Sequence, residues 1–139
     1  MNKSRKRIAY VTYAGVFPFY ISPISDYFYY NEILLRISKI ETISSLYAAL
    51  IVCFLSGMQW QKLIETNMKG EFFFIPFLPL FLVSTYTFYD NKIYSSSILV
   101  LSLFLSLSID LMIYKKKSEK WFKKLRISAT ILAAVSFLI

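Results

Sequence analysis

Histidine is absent from this 139-residue chain, and cysteine occurs once, at Cys53. Without histidine the chain cannot form Ser-His-Asp or Cys-His catalytic groups, and it lacks the commonest nitrogen ligand of zinc. A single cysteine permits no intrachain disulfide. The eight acidic residues are scattered, with no pair at the D-x-D spacing of a metal site. We therefore expect no enzyme, and no catalytic, cofactor-binding or metal-binding residues.

The composition is that of a membrane protein. Hydrophobic residues make up 57% of the chain and charged residues only 17%, and the mean hydropathy is +0.53. A soluble domain of this length has too little interior to bury so much apolar surface. The sequence, which has no internal repeat or flexible linker, predicts a single polytopic domain over residues 1–139. Its fold class is an all-α integral membrane helical bundle.

Five apolar runs are predicted to be transmembrane helices, near residues 8–24, 43–60, 72–89, 93–114 and 125–139. If each run crosses a bilayer, 13 of the 16 Lys and Arg residues lie on the N-terminal side. The other side holds only Arg36, Lys39 and Lys92. This asymmetry predicts an N-in, C-out orientation, and it disappears if the first span is omitted. A multi-pass protein of the bacterial inner membrane is expected, or of the mitochondrial inner membrane in a eukaryote.

Prolines and one short polar stretch refine this topology. Pro18 and Pro23 are predicted to kink or shorten the first span, because proline lacks the backbone N–H that a helix interior uses. Residues 90–92 read Asp-Asn-Lys, which favours a tight turn. The third and fourth spans are therefore predicted to form a helical hairpin.

The net charge of +8 lies next to apolar runs rather than in a separate segment. Anionic lipid headgroups are therefore the expected partner, and nucleic acid is not. The most basic stretch, residues 115–126, is predicted to lie in the membrane interface as a linker, with Trp121 among its apolar residues. A membrane-protein partner or a second copy of the chain is the other expected contact.

Two predicted spans carry residues that stand out. In the second span small residues recur every fourth position, at Ser45, Ala49, Cys53 and Gly57. This spacing predicts a face against which a neighbouring backbone packs closely. Gln59 and Trp60 follow at the inner end of this span, where Trp60 is expected at the interface.

The fourth span carries a polar stripe formed by Ser95, Ser102, Ser106 and Asp110. In hydrocarbon such a stripe faces other helices, where it forms hydrogen bonds, or it lines a path for a solute or proton. Asp110 lies about one turn before the end of this span, where the helix dipole disfavours a carboxylate. Arg126 is its predicted partner. Solvation by water or pairing with Lys117 remains the alternative.

Three stretches resemble a small bacterial membrane-protein family called domain of unknown function 3429, which includes mitochondrial transmembrane protein 69. They are residues 14–19 (AGVFPF), residues 47–60 ending FLSGMQW, and residues 121–126 (WFKKLR) with Thr130. Asp110 also falls where the family pattern carries an acid. The chain departs from the pattern at Ser56 and Gln61, where glycine is usual. The resemblance implies a membrane fold but no established activity.

Two functions remain open. The first is a structural or accessory role, for example as an assembly subunit of a larger membrane complex. The alternative is a small transporter or channel that uses the polar face of the fourth span. A lipid-active membrane enzyme is disfavoured, because the acids are dispersed over both sides of the predicted membrane.

Overall fold

A computed structural model describes residues 3–29, 40–88 and 90–139, and every regular element in these ranges is helical. Short 3₁₀ turns occur at Phe17–Tyr20, Gly70–Phe74, Thr85–Phe88 and Lys117–Glu119. The all-α class is therefore confirmed for the described residues, and Arg36 and Lys39 lie outside them. The α-helices are α1 (Lys3–Ala14), α2 (Ile21–Tyr29), α3 (Ile40–Glu65), α4 (Phe77–Ser84), α5 (Lys92–Ile113) and α6 (Lys120–Leu138).

Three helical segments are long and apolar enough to cross a membrane: Ile43–Glu65, Gly70–Phe88 and Lys92–Ile113. At about 1.5 Å per residue they reach about 28 to 35 Å, which matches a hydrocarbon core of about 30 Å. Large apolar side chains are exposed on the outer faces of the bundle, among them Leu50, Phe54, Phe81, Leu101 and Leu132. Soluble proteins rarely expose so much contiguous apolar surface. The helices are thus those of a membrane protein.

The first predicted span is not one continuous helix. α1 ends at Ala14, the Phe17–Tyr20 turn follows, and α2 begins at Ile21. Pro18 explains the interruption, because its ring clashes with the carbonyl four residues earlier and it donates no hydrogen bond. A hydrogen bond from α3 holds this bend in place: the Tyr47 hydroxyl donates to the carbonyl of Gly15 at 2.7 Å. The predicted kink is present, but it divides the segment into two helices.

The C-terminal basic segment also differs from its prediction. A separate linker followed by a 15-residue span was expected, whereas α6 runs unbroken from Lys120 to Leu138. Lys120, Lys123, Lys124 and Arg126 therefore lie in its first two turns. These charges explain why α6 is not among the three segments apolar enough to span a membrane by composition.

The predicted hairpin of the third and fourth spans is present. α4 packs against α5, and Asn91 caps α5 by accepting a hydrogen bond from the Ile93 N–H at 3.0 Å. An Asn side chain at this position satisfies one of the free N–H groups of the first turn. This pairing places the middle of α5 at the centre of the bundle, in contact with α3, α4 and α6.

The bundle has two ends with different chemistry. At the basic end, the Lys62 Nζ lies 2.7 Å from Glu119 Oε1, and Arg5 Cζ lies 5.4 Å from the centre of the Trp121 ring. At the distal end, a cleft of about 530 Å³ opens between residues from several helices, including Ser22, Asp90, Ser95 and Leu138. A packed core separates the two ends, formed by Phe19, Ala48, Val52, Val83, Leu99, Leu103 and Ala133.

Candidate functional site: a buried polar cluster

Asp110 joins three helices near the basic end. Its Oδ2 accepts a hydrogen bond from Arg126 Nε of α6 at 2.6 Å. Its Oδ1 accepts one from Gln59 Nε2 of α3 at 2.8 Å. Gln59 is fully buried, and Asp110 and Arg126 are 4% and 8% exposed. The predicted pairing of Asp110 with Arg126 is therefore confirmed, and Gln59 completes it from a third helix.

Ser106 belongs to the same cluster because it lies one turn before Asp110 on α5. Gln59 Nε2 lies 2.9 Å from the Ser106 carbonyl oxygen and 3.1 Å from its hydroxyl. One amide group of α3 thus contacts backbone and side chain of α5 over a full turn. We call Gln59, Ser106, Asp110 and Arg126 the polar cluster.

The electrostatics of the polar cluster depend on where its charges lie along their helices. Asp110 is in the last turn of α5, and Arg126 is in the second turn of α6. Each charge has the same sign as the partial charge at its own helix end, so each is disfavoured by its own helix. Direct pairing offsets both penalties. Removing either partner leaves a buried charge without compensation, which is strongly destabilising.

Some polar atoms near the cluster have no hydrogen-bond partner among the described residues. They are Ser56 Oγ, Gln59 Oε1 and Arg126 Nη2. Asp110 therefore occupies one edge of the Arg126 guanidinium through Nε and leaves Nη2 without an acceptor. Within the described ranges, no group of three or more His, Cys, Asp or Glu side chains could hold a metal ion.

A second ion pair lies at the basic end, closer to the surface than the polar cluster. Lys62 of α3 pairs with Glu119, and the other Glu119 oxygen accepts from the Lys116 backbone N–H at 3.2 Å. The hydrogen bond from Lys62 is the main reason that the pKa of Glu119 is lowered. Lys62 Nζ also lies 5.4 Å from the centre of the Tyr114 ring. These contacts bind the α5–α6 connection to α3.

The other predicted residues do not join the polar cluster. Ser102 is buried on the same face of α5, and its hydroxyl donates to the Leu99 carbonyl of its own helix at 2.8 Å. Trp60 is 44% exposed, and its ring meets Phe77 edge-on with centres 5.4 Å apart. Trp121 lies at the basic end against Arg5.

The prediction of close packing at Gly57 is wrong within a single copy of this chain. Gly57 is exposed, and a Cβ placed on it would have no other heavy atom of the described residues within 4 Å. The buried face of α3 is instead the adjacent one, where Ser44, Ala48, Val52, Ser56 and Gln59 lie. Both faces repeat every fourth residue, so spacing alone could not distinguish them. The burial of Gln59 identifies which of the two faces packs inside the bundle.

Two contacts at the basic end were not predicted from the sequence. The Lys62–Glu119 pair joins residues far apart in the chain, and so does the stacking of Arg5 on Trp121. The chain carries 16 basic residues, many of them at this end. With so many equivalent cations, the sequence held no signal that would select Lys62 or Arg5.

Comparison with known families agrees with the resemblance seen in the sequence. A family model described as "Protein of unknown function (DUF3429)" matches residues 4–139. No curated protein and no solved structure matches the chain. The match covers the whole polar cluster and all six helices almost completely. The chain therefore belongs to the family called domain of unknown function 3429.

Proposed function

We propose that this protein is a multi-pass inner-membrane protein with five membrane crossings and its N-terminus in the cytoplasm. The distribution of Lys and Arg supports this orientation. The contacts at the basic end agree, because Arg5, Lys62 and Glu119 lie in segments assigned to the same side. In this arrangement α6 is the fifth crossing, and its basic first turns contact anionic headgroups.

Reporter fusions test this topology. Fusions after Lys69 and Lys117 should report the cytoplasm, and fusions after Asn91 and Ile139 should report the opposite side. A cytoplasmic reporter at Ile139 would contradict five crossings, because it requires an even number of them.

We further propose that the protein has a structural or accessory role in a larger membrane assembly. The observation that carries this proposal is the polar cluster, whose ionisable groups are buried and bonded to each other. Asp110 uses both carboxylate oxygens to hold α3 and α6. Such a group stabilises a fixed helix arrangement more readily than it exchanges protons or ligands with water.

Transport is the second candidate, and one feature favours it. The distal cleft of about 530 Å³ is lined by Ser95, which begins the polar stripe of α5. Between this cleft and Ser106, however, lie Leu99 and Leu103 of the packed core. A solute path would therefore require those side chains to move.

Affinity purification in mild detergent, followed by mass spectrometry, tests the accessory role. A stoichiometric partner protein would support it. Flux of a solute or proton in proteoliposomes of the isolated chain would contradict it in favour of transport. Ser95→Ala is the matched variant for that outcome, because it changes the cleft and leaves the polar cluster intact.

A further inference from the structure

A long apolar groove runs along the bundle between α1, α3 and α6. Its volume is about 550 Å³, within the range of small-molecule sites in proteins. Its apolar walls include Val11 from α1, Phe54 and Met58 from α3, and Ala129 and Ala133 from α6. Phe54 and Val11 are also exposed on the outer surface of the bundle, so the groove is open to the side. In a bilayer it faces the lipid.

One end of this groove is cationic. Arg7 of α1 and Arg126 of α6 both line it. Arg126 is 8% exposed, and its Nη2 has no hydrogen-bond partner among the described residues because Asp110 is bound through Nε. Arg7 is exposed. The groove thus combines a buried guanidinium that retains a free donor with a second guanidinium at its mouth.

Two hydrogen bonds hold the helices that form the groove. The Tyr47 hydroxyl donates to the carbonyl of Gly15, which joins the end of α1 to α3. The Tyr13 and Ser128 hydroxyls lie 2.9 Å apart and join α1 to α6. From Arg126 to Ala133 the groove follows seven residues of helix, or about 10 Å. It is therefore an elongated apolar slot with cations at one end.

We propose that this groove binds one acyl chain of an anionic phospholipid, with the phosphate between Arg7 and Arg126. Guanidinium groups bind phosphate oxygens through charge-assisted hydrogen bonds, and Arg7 and Arg126 both line this end of the groove. The apolar walls suit a hydrocarbon chain that extends away from the headgroup. The inference rests on the proposed membrane topology, which places the basic end at the headgroups of one leaflet.

Native mass spectrometry of the detergent-purified chain tests the headgroup. The probes are phosphatidylglycerol and phosphatidylcholine with identical acyl chains. Phosphatidylglycerol should bind more tightly, and Arg7→Gln should weaken its binding about tenfold, because it removes a hydrogen bond to the charged phosphate that contributes about 1.5 kcal/mol. Lys3→Gln is the control, since it removes the same charge from the same helix outside the groove. Equal losses in both variants, or equal binding of both lipids, would overturn the proposal.

A second pair of variants tests the acyl chain. Val11→Trp fills the groove, whereas Tyr10→Trp places the same side chain at the neighbouring position, which does not line it. Both positions are more than 70% exposed, so neither change disturbs the core. Val11→Trp should abolish phosphatidylglycerol binding and Tyr10→Trp should preserve it. Retained binding in Val11→Trp would refute the groove even if the reporter fusions confirm the topology, so the two proposals fail separately.

Discussion

The two ends of the bundle are stabilised in different ways. At the basic end, polar side chains bind across helices, as Gln59, Asp110 and Arg126 do. At the distal end, most hydroxyls bind carbonyls of their own helix, as in Ser136 to Ala133 at 2.6 Å and Thr85 to Leu82 at 2.7 Å. A hydroxyl bonded within its helix does not specify the neighbouring helix. Side-chain pairs between helices therefore dominate at the basic end. The distal end combines a few hydroxyl-to-carbonyl bonds between elements, such as Tyr20 to Leu132 at 2.7 Å, with apolar packing beside an open cleft.

The largest expected effect is the loss of Arg126. Arg126→Gln leaves the buried Asp110 carboxylate without its cation and should destabilise the protein by about 3–5 kcal/mol. The matched change at the distal end is Ser136→Ala. It removes a buried hydroxyl that, among the described residues, bonds only within its own helix, and it should destabilise by less than about 1 kcal/mol. Thermal unfolding in detergent measures both. Similar losses would show that the two ends do not differ.

Gln59→Leu should have the next largest effect. It removes the amide that donates to Asp110 and Ser106 while keeping an apolar side chain of similar length. A buried acceptor left without its donor destabilises by about 1–3 kcal/mol. Gln61→Leu is the control on the same helix, because Gln61 is exposed and, among the described residues, donates only to Glu65. Chemical or thermal unfolding curves in detergent should separate the two variants clearly.

The buried face of α3 can be tested against the exposed one. Ala48→Leu inserts bulk at a position with 0% exposure, and overpacking of this kind destabilises by about 1–3 kcal/mol. Gly57→Leu places the same side chain in open space and should change the stability by less than about 0.5 kcal/mol. If Gly57→Leu is instead the more damaging variant in the intact membrane, that face is covered by a second protein.

The Lys62–Glu119 pair should contribute least. Glu119→Gln removes a pair near the surface and should destabilise by less than about 1 kcal/mol. Because the pKa of folded Glu119 is lowered, this contribution is present above the ordinary glutamate value of 4.5 and is lost as the pH falls below it. The difference in melting temperature between wild type and Glu119→Gln should therefore be measurable at neutral pH and vanish in acid. High salt should reduce it too.

The sequence predicted features that depend on local chemistry. Pro18 indicated the break in the first segment, and the position of Asp110 near a helix end indicated a cation partner. Arg126 could be predicted as that partner because the short connection after α5 brings the next helix back to the level of Asp110. The Gln59 contact was not predicted, since its rotation about α3 depends on which of two adjacent stripes is buried. Packing against α5 determines which stripe is buried, and the pattern of residues in one sequence does not show that packing.

The extent of α6 was missed for a related reason. Lysines at residues 120–124 suggested a separate interfacial segment, but charge does not interrupt a helix in the way that Pro18 does. The hydrogen bonds of Glu119 with Lys116 cap the 3₁₀ turn Lys117–Glu119, which leads directly into α6. The density of charge at residues 115–126 was therefore no guide to where this helix begins.

A double-mutant cycle on Asp110 and Arg126 tests the central claim most directly. The variants are Asp110→Asn, Arg126→Gln and the double substitution, and the measured quantity is the stability of each in detergent. If the pair holds α5 to α6, the double variant should lose less than the sum of the single losses, with a coupling of about 1–3 kcal/mol. Strictly additive losses would contradict the account, because they would mean that the two charges do not stabilise each other.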